Sequence, residues 1–101
     1  MTHIRNVYTI CIMRFTWNEA KRKSNLKNHG LDFLDASKVF EGLTFTFEDD
    51  RFDYGEQRFA TLGLLNGTPV SIVHTETADY IHIISFRKAT KNEQIIFFEN
   101  I

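Results

Sequence analysis

Apolar and polar residues change period along this chain, and each change marks an element. Phe15 and Trp17 alternate with Arg14 and Thr16 ahead of Asn18, which predicts a short first strand ending at a helix cap. The helix it opens should run to about His29 and stop at Gly30, a residue that enters the left-handed conformation without a side-chain clash. After Trp17 only Ala20 and Leu26 are apolar in that helix, so it is expected to lie on the domain by a narrow stripe and to turn a face of Lys and Arg to water. A second helix is predicted from Asp32, burying Phe33, Ala36, Val39 and Phe40 at helical spacing and ending at Gly42.

Beyond Gly42 the period becomes alternating. Thr44 to Glu48, Phe59 to Leu65, Val70 to Thr75 and Tyr80 to Arg87 read as strands. Asn66-Gly67 supplies a tight hairpin turn, Pro69 belongs at a strand start, and Ala78-Asp79 interrupts the pattern before the last strand. Thr90-Lys91-Asn92-Glu93 then forms a capping box for a closing helix. Its four successive apolar residues, Ile95 to Phe98, exceed one helical stripe, so part of that helix is either well buried or left for a partner to cover. The expected architecture is α+β: an antiparallel β-sheet with N-terminal helices packed on one face and a C-terminal helix, the helices sharing a face. Such a plan serves many functions and assigns none.

Composition sets limits around this plan. The 101 residues suit one domain, and ten Phe among 43% hydrophobic residues can close a core without metals or disulfides. A lone Cys11 cannot form an internal disulfide, and no paired Cys/His spacing suggests a zinc site, so neither metal nor cofactor is expected. The longest apolar runs, Ile10 to Met13 and Ile95 to Phe98, are too short to span a bilayer, and no export signal is evident, so the expected setting is the cytoplasm.

Net charge is −1, which by itself argues against a generic nucleic-acid binder, but the charges are segregated. Met13 to Gly30 carries +4, whereas Asp32 to Glu56 carries −6. The basic part can hold phosphates and the acidic part can meet a basic protein, although charge runs are more often solvated surface.

Several motifs now stand together: Phe15-x-Trp17; Lys21, Asn25 and Lys27 in the basic helix; His29-Gly30-x-x-Phe33; the run Asp50-Arg51-x-Asp53-Tyr54-Gly55-Glu56-x-Arg58; and Ile83-Ile84-Ser85-x-Arg87-Lys88-Ala89. In order and spacing, from about Met13 to about Glu93, they resemble the BrnT family of bacterial toxins. Where that family commonly has Ser-Ala-Arg-Lys this chain has Ser85-Phe86-Arg87-Lys88, which keeps both cations. Residues 1–12 precede the family pattern and read as an N-terminal extension or a misread start, with 13–101 as the toxin domain.

The resemblance implies a RelE-like fold and an endoribonuclease that cuts mRNA and inhibits translation. It also implies a neighbouring BrnA antitoxin, with a ribbon–helix–helix part, that neutralises the toxin as a hetero-oligomer and meets operator DNA. The alternative is an inactive binding module that only joins its antitoxin on operator DNA. Acidic residues around Glu48 to Asp53 and the exposed part of the last helix are the expected antitoxin contacts.

Cleaving RNA without a metal requires a base for the 2′-hydroxyl, cations at the phosphate and an acid for the leaving oxygen. Arg51, Arg58, Arg87 and Lys88 are candidates to hold the phosphate, and Glu56 and His29 to exchange protons. Each also has a plainer reading. His29 can cap its own helix, Glu56 can pair with Arg58 or Arg51, and Arg87 can be held by an internal carboxylate such as Glu56 or Asp53. Arg87 is expected on the same side of its strand as Ile81, Ile83 and Ser85. Lys21 and Lys27 are candidates for backbone phosphates, Tyr54 for stacking a base, and Trp17 for anchoring the core. His74 and His82 are expected to be hydrogen-bonded core residues rather than acids or bases.

Overall fold

A computed structural model describes residues 14–51, 53 and 55–101 of the chain. The expectations for residues 1–12, Cys11 and Tyr54 fall outside these. Along the chain come β1 (Arg14–Trp17), α1 (Glu19–His29), a single 3₁₀ turn (Phe33–Asp35), α2 (Ala36–Glu41), β2 (Phe45–Glu48), β3 (Phe59–Leu65), β4 (Thr68–Glu76), β5 (Tyr80–Lys88) and α3 (Lys91–Glu99).

Local chemistry sets most boundaries as the sequence predicts. Asn18 Oδ1 accepts from the Lys21 amide at the start of α1, and Gly30 ends it at φ 71°. Asp32 caps the 3₁₀ turn through the Leu34 amide, and Thr90 and Glu93 form the capping box of α3. Asn66 and Gly67 both have positive φ, 50° and 82°, the geometry a two-residue hairpin turn between β3 and β4 requires.

The five strands form one sheet in the order β1-β5-β4-β3-β2. Contrary to the antiparallel expectation the sheet is mixed, because β1 pairs parallel with β5, Phe15 opposite Ile81 and Trp17 opposite Ile83. A hairpin can join only antiparallel neighbours, so this pairing takes nearly the whole chain as its crossover and leaves no local trace in sequence.

One face of the sheet carries Val70, Ile72, Ile81, Ile83 and Phe86, buried against Phe33, Ala36 and Val39. Full burial of each such aliphatic or aromatic side chain contributes about 1.5–3 kcal/mol. Gly63 lies under α2, and a Cβ there would stand 2.7 Å from Val39 Cγ1. The opposite face carries Ala60, Ser71 and Val73, and α3 lies across it with Ile96 beside them. The helices are therefore divided between the two faces instead of sharing one. Among the described residues, no helix is long and apolar enough to cross a membrane.

The docking of α1 departs most from expectation. Ala20 is exposed and Leu26 is 42% exposed, so they form no apolar stripe against the domain. Polar groups hold the helix. Arg22 donates to both oxygens of Asp32 at 2.9 and 3.2 Å and also pairs with Glu19. Buried Asn25 donates to the Phe86 carbonyl at 2.7 Å and to the Leu31 carbonyl at 3.0 Å, and accepts from the Phe86 amide at 3.1 Å. Because β1 pairs with β5 only as far as Ile83, the β5 edge beyond needs hydrogen-bonding partners, and Asn25 meets that need.

Candidate active site

Arg87 illustrates how one irregularity decides the placement of a functional side chain. Strict alternation would set Arg87 on the side of Ile81 and Ile83, as the sequence suggests. Between β4 and β5, however, Val73 pairs with Ser85 and His74 with Ile83, so Ile84 is an extra residue on β5. This bulge returns Phe86 to the core beside Ile81 and Ile83 and turns Ser85 and Arg87 to the opposite face.

There Arg87 lines a cleft of about 270 Å³ between the sheet and α3. The floor is Ala60, Ser71 and Val73; Phe47 and Ile96 flank it; Asn92 and Glu93 of α3 form one wall, and Glu48 to Arg51 form the other. The Arg87 partner is neither Glu56 nor Asp53 but Glu93, whose two oxygens accept from Nη1 and Nη2 at 2.7 and 3.0 Å. The same Glu93 Oε1 accepts from the Thr90 amide at 2.8 Å, so one carboxylate both caps α3 and orients the guanidinium. Burial pushes the Glu93 carboxyl up, but the Arg87 and Thr90 hydrogen bonds outweigh it and hold its pKa below the ordinary range. Glu93 is thus a carboxylate at neutral pH, not a proton donor.

At the other wall Arg51 donates to buried Asp49 at 2.8 and 3.1 Å while most of its own side chain is exposed. Ser71, opposite Arg87 on β4, is 1% exposed, and its hydroxyl has no hydrogen-bond partner among the described residues.

The remaining candidates lie elsewhere. Arg58 is not among the residues lining the cleft; it pairs with Glu56 at 3.1 Å on the loop before β3, the plainer of the two readings of Glu56. His29 and Lys21 line a separate shallow depression with Ser24, Asn25, Asn28 and Ile84. Lys27 and Lys88 are exposed. The candidate set is therefore divided: Arg51 and Arg87 meet in one cleft, Glu56 and Arg58 pair beside it in sequence, and His29 faces a different concavity.

His74 is buried in the core as expected, its Nε2 2.7 Å from Thr61 Oγ1. His82 is instead exposed, with Nδ1 2.8 Å from Thr16 Oγ1, because Ile81 and Ile83 take the inward positions of β5. Trp17 packs edge-on to Phe33 in the core.

Sequence reasoning missed Ser71, Asn25 and the Arg87–Glu93 pair as parts of a site. Ser71 had a signal: it is the polar interruption in Val70-Ser71-Ile72-Val73. Glu93 was visible only as a capping residue, since its second bond is to a strand. Among the described residues no three His, Cys, Asp or Glu side chains come together as a metal site.

Comparison with known proteins places the chain in a family. The model of the BrnT ribonuclease toxins of type II toxin–antitoxin systems matches residues 17–93. Among solved structures, the Brucella abortus ribonuclease toxin BrnT is similar, with 27% sequence identity and a TM-score of 0.63 over 78% of this chain and 99% of that one. No match was found among curated proteins.

Proposed function

The chain belongs to the BrnT family of ribonuclease toxins from type II toxin–antitoxin systems, and on that premise we propose that it is a cytoplasmic endoribonuclease that cuts mRNA and so inhibits translation. The RelE-like plan and a BrnA-type ribbon–helix–helix antitoxin, joining the toxin in a hetero-oligomer and bringing it to operator DNA, belong to the same proposal. So does the division of the chain into an extension over residues 1–12 and a toxin domain over 13–101. The observation that carries the reading is that Arg87 and Arg51, far apart in sequence, line one cleft beside a helix.

In this reading the RNA 2′-oxygen attacks the neighbouring phosphorus, the bond to the leaving 5′-oxygen breaks, and a 2′,3′-cyclic phosphate end remains. No metal takes part in the proposed step. Arg87, fixed on a strand and oriented by Glu93, stabilises charge on the phosphate, with Arg51 across the cleft as its counterpart. Arg58 and Lys88 add positive charge nearby in sequence, and Lys21 and Lys27 on α1 hold the RNA backbone. Tyr54 stacks a base in this proposal. Glu56 and His29 are the candidates for proton exchange. His29 lines the depression beside α1 and Glu56 does not, and pH–rate profiles of Glu56→Gln and His29→Ala distinguish them: the residue that acts is the one whose loss removes a limb of the profile.

The second reading, an inactive module that only binds its antitoxin, is favoured by one observation. Arg51, Arg58 and Arg87 are each already ion-paired, with Asp49, Glu56 and Glu93. The experiment that decides is induction of this chain in bacteria, alone and with its neighbouring gene, while growth is followed and new RNA 5′ ends are mapped. Growth arrest with new ends, relieved by the neighbour and by Arg87→Ala, is the expected result. No arrest and no new ends from well-expressed folded protein transfers the conclusion to the binding module.

A further inference from the structure

We propose that the cleft between the sheet and α3 holds one unpaired nucleobase of the RNA substrate, with the Ser71 hydroxyl as the buried group that hydrogen-bonds to the base. This rests on the ribonuclease reading and adds to it a base subsite beside the phosphate held by Arg87.

The first argument is the hydroxyl itself. A buried polar atom without a partner is costly, and native structures keep few of them, so each calls for an explanation. Ser71 is 1% exposed on a central strand, its Oγ has no partner among the described residues, and the residue lines the cleft floor. Because the Oγ itself is buried, the Ser71 side chain rotates in this proposal to meet a ligand edge in the cleft.

Shape and charge identify the ligand. The volume of about 270 Å³ lies just below the small end of pockets for drug-sized ligands, about 300 Å³, which suits a single flat ring system. Ala60, Val73, Phe47 and Ile96 give that ring apolar and aromatic surfaces. Among the residues lining the cleft, Asp49 and Glu93 are paired with the two guanidiniums, Arg51 and Arg87, and Asp50 is a further acidic residue. A second phosphate inside would meet net negative charge, whereas a neutral base would not. Arg87 stands opposite Ser71 across the β4–β5 pairing, which sets a phosphate at the guanidinium beside a base over the hydroxyl.

The test uses the full chain and a short RNA made uncleavable by a 2′-deoxy substitution at the scissile nucleotide, together with versions carrying one abasic position each. Affinities are measured by fluorescence anisotropy for the native protein, Ser71→Ala and Arg87→Ala. Ser71→Ala removes a hydroxyl that has no partner among the described residues, so folding should persist. The expected result is that Ser71→Ala weakens the intact RNA about five- to tenfold, the worth of one hydrogen bond. One abasic RNA should bind native protein and Ser71→Ala equally, because the interaction is already gone. If Ser71→Ala leaves affinity for the intact RNA unchanged, or weakens every RNA alike, the base subsite is overturned. Loss of antitoxin affinity in Ser71→Ala with RNA binding intact also overturns it, in favour of a protein occupant. Those failures leave the ribonuclease reading standing so long as Arg87→Ala impairs cleavage. Unchanged cleavage in Arg87→Ala removes the phosphate site on which the subsite depends.

Discussion

Asn25 acts toward Phe86 as a neighbouring strand would: its side-chain amide takes both the N–H and the C=O of that residue at a sheet edge that β1 does not reach. Replacing Asn25 with Ala should therefore leave a buried donor and acceptor unsatisfied and lower stability by about 1–3 kcal/mol. Denaturant titration measures this. A loss within the ordinary surface range, about 0.5 kcal/mol or less, would mean that water replaces the amide at no cost.

Gly63 is constrained by contact rather than by backbone conformation. An added Cβ would meet Val39 Cγ1 at 2.7 Å and Thr44 Cγ2 at 3.3 Å, so Gly63→Ala should cost about 1–3 kcal/mol through overpacking. Val39→Ala in the same chain should recover part of that loss. Additive penalties in the double mutant, read from thermal unfolding, would contradict the contact.

The Glu93 carboxylate makes stability depend on pH. Its folded pKa is depressed, so the stabilisation it supplies is complete above the unfolded glutamate pKa of about 4.3 and is lost as pH falls through the lower, folded value. Asp32, depressed chiefly by its Arg22 hydrogen bond, adds in the same direction. Glu93→Gln keeps an acceptor for the capping box but loses the charged pair, so it should lower stability by about 1 kcal/mol at neutral pH and flatten the acid limb of the stability profile. An unchanged acid limb would assign the pH dependence to other groups.

Arg87→Ala should reduce RNA cleavage by about a hundredfold or more, the usual scale for removing a group that stabilises developing charge. Initial rates on a defined RNA measure the effect. A loss below about threefold would place the scissile phosphate elsewhere.

Lys21 and Lys27 test the basic face separately. If each contacts one phosphate of single-stranded RNA, each change to Ala should reduce the slope of log affinity against log salt by about 0.7. Unaltered slopes would make that face solvated surface only.

The sequence by itself determined most elements and many of their ends, although the helix expected from Asp32 forms as a 3₁₀ turn followed by α2, and β4 begins at Thr68 rather than Val70. Asn18, Gly30, Asp32, Asn66-Gly67, Thr90 and Glu93 act on backbone groups a few residues away, and such short-range chemistry is written locally. The inward set Phe33, Ala36 and Val39 was legible from its helical spacing, and the family from its spaced motifs. Only the tertiary structure decided that β1 lies parallel to β5, that α1 is held by Arg22 and Asn25 rather than by Ala20 and Leu26, and that Arg87 faces away from Ile81 and Ile83. These outcomes depend on a long crossover, an unpaired sheet edge and a one-residue bulge. Each is settled by partners distant in sequence, and no periodicity along the chain carries that information.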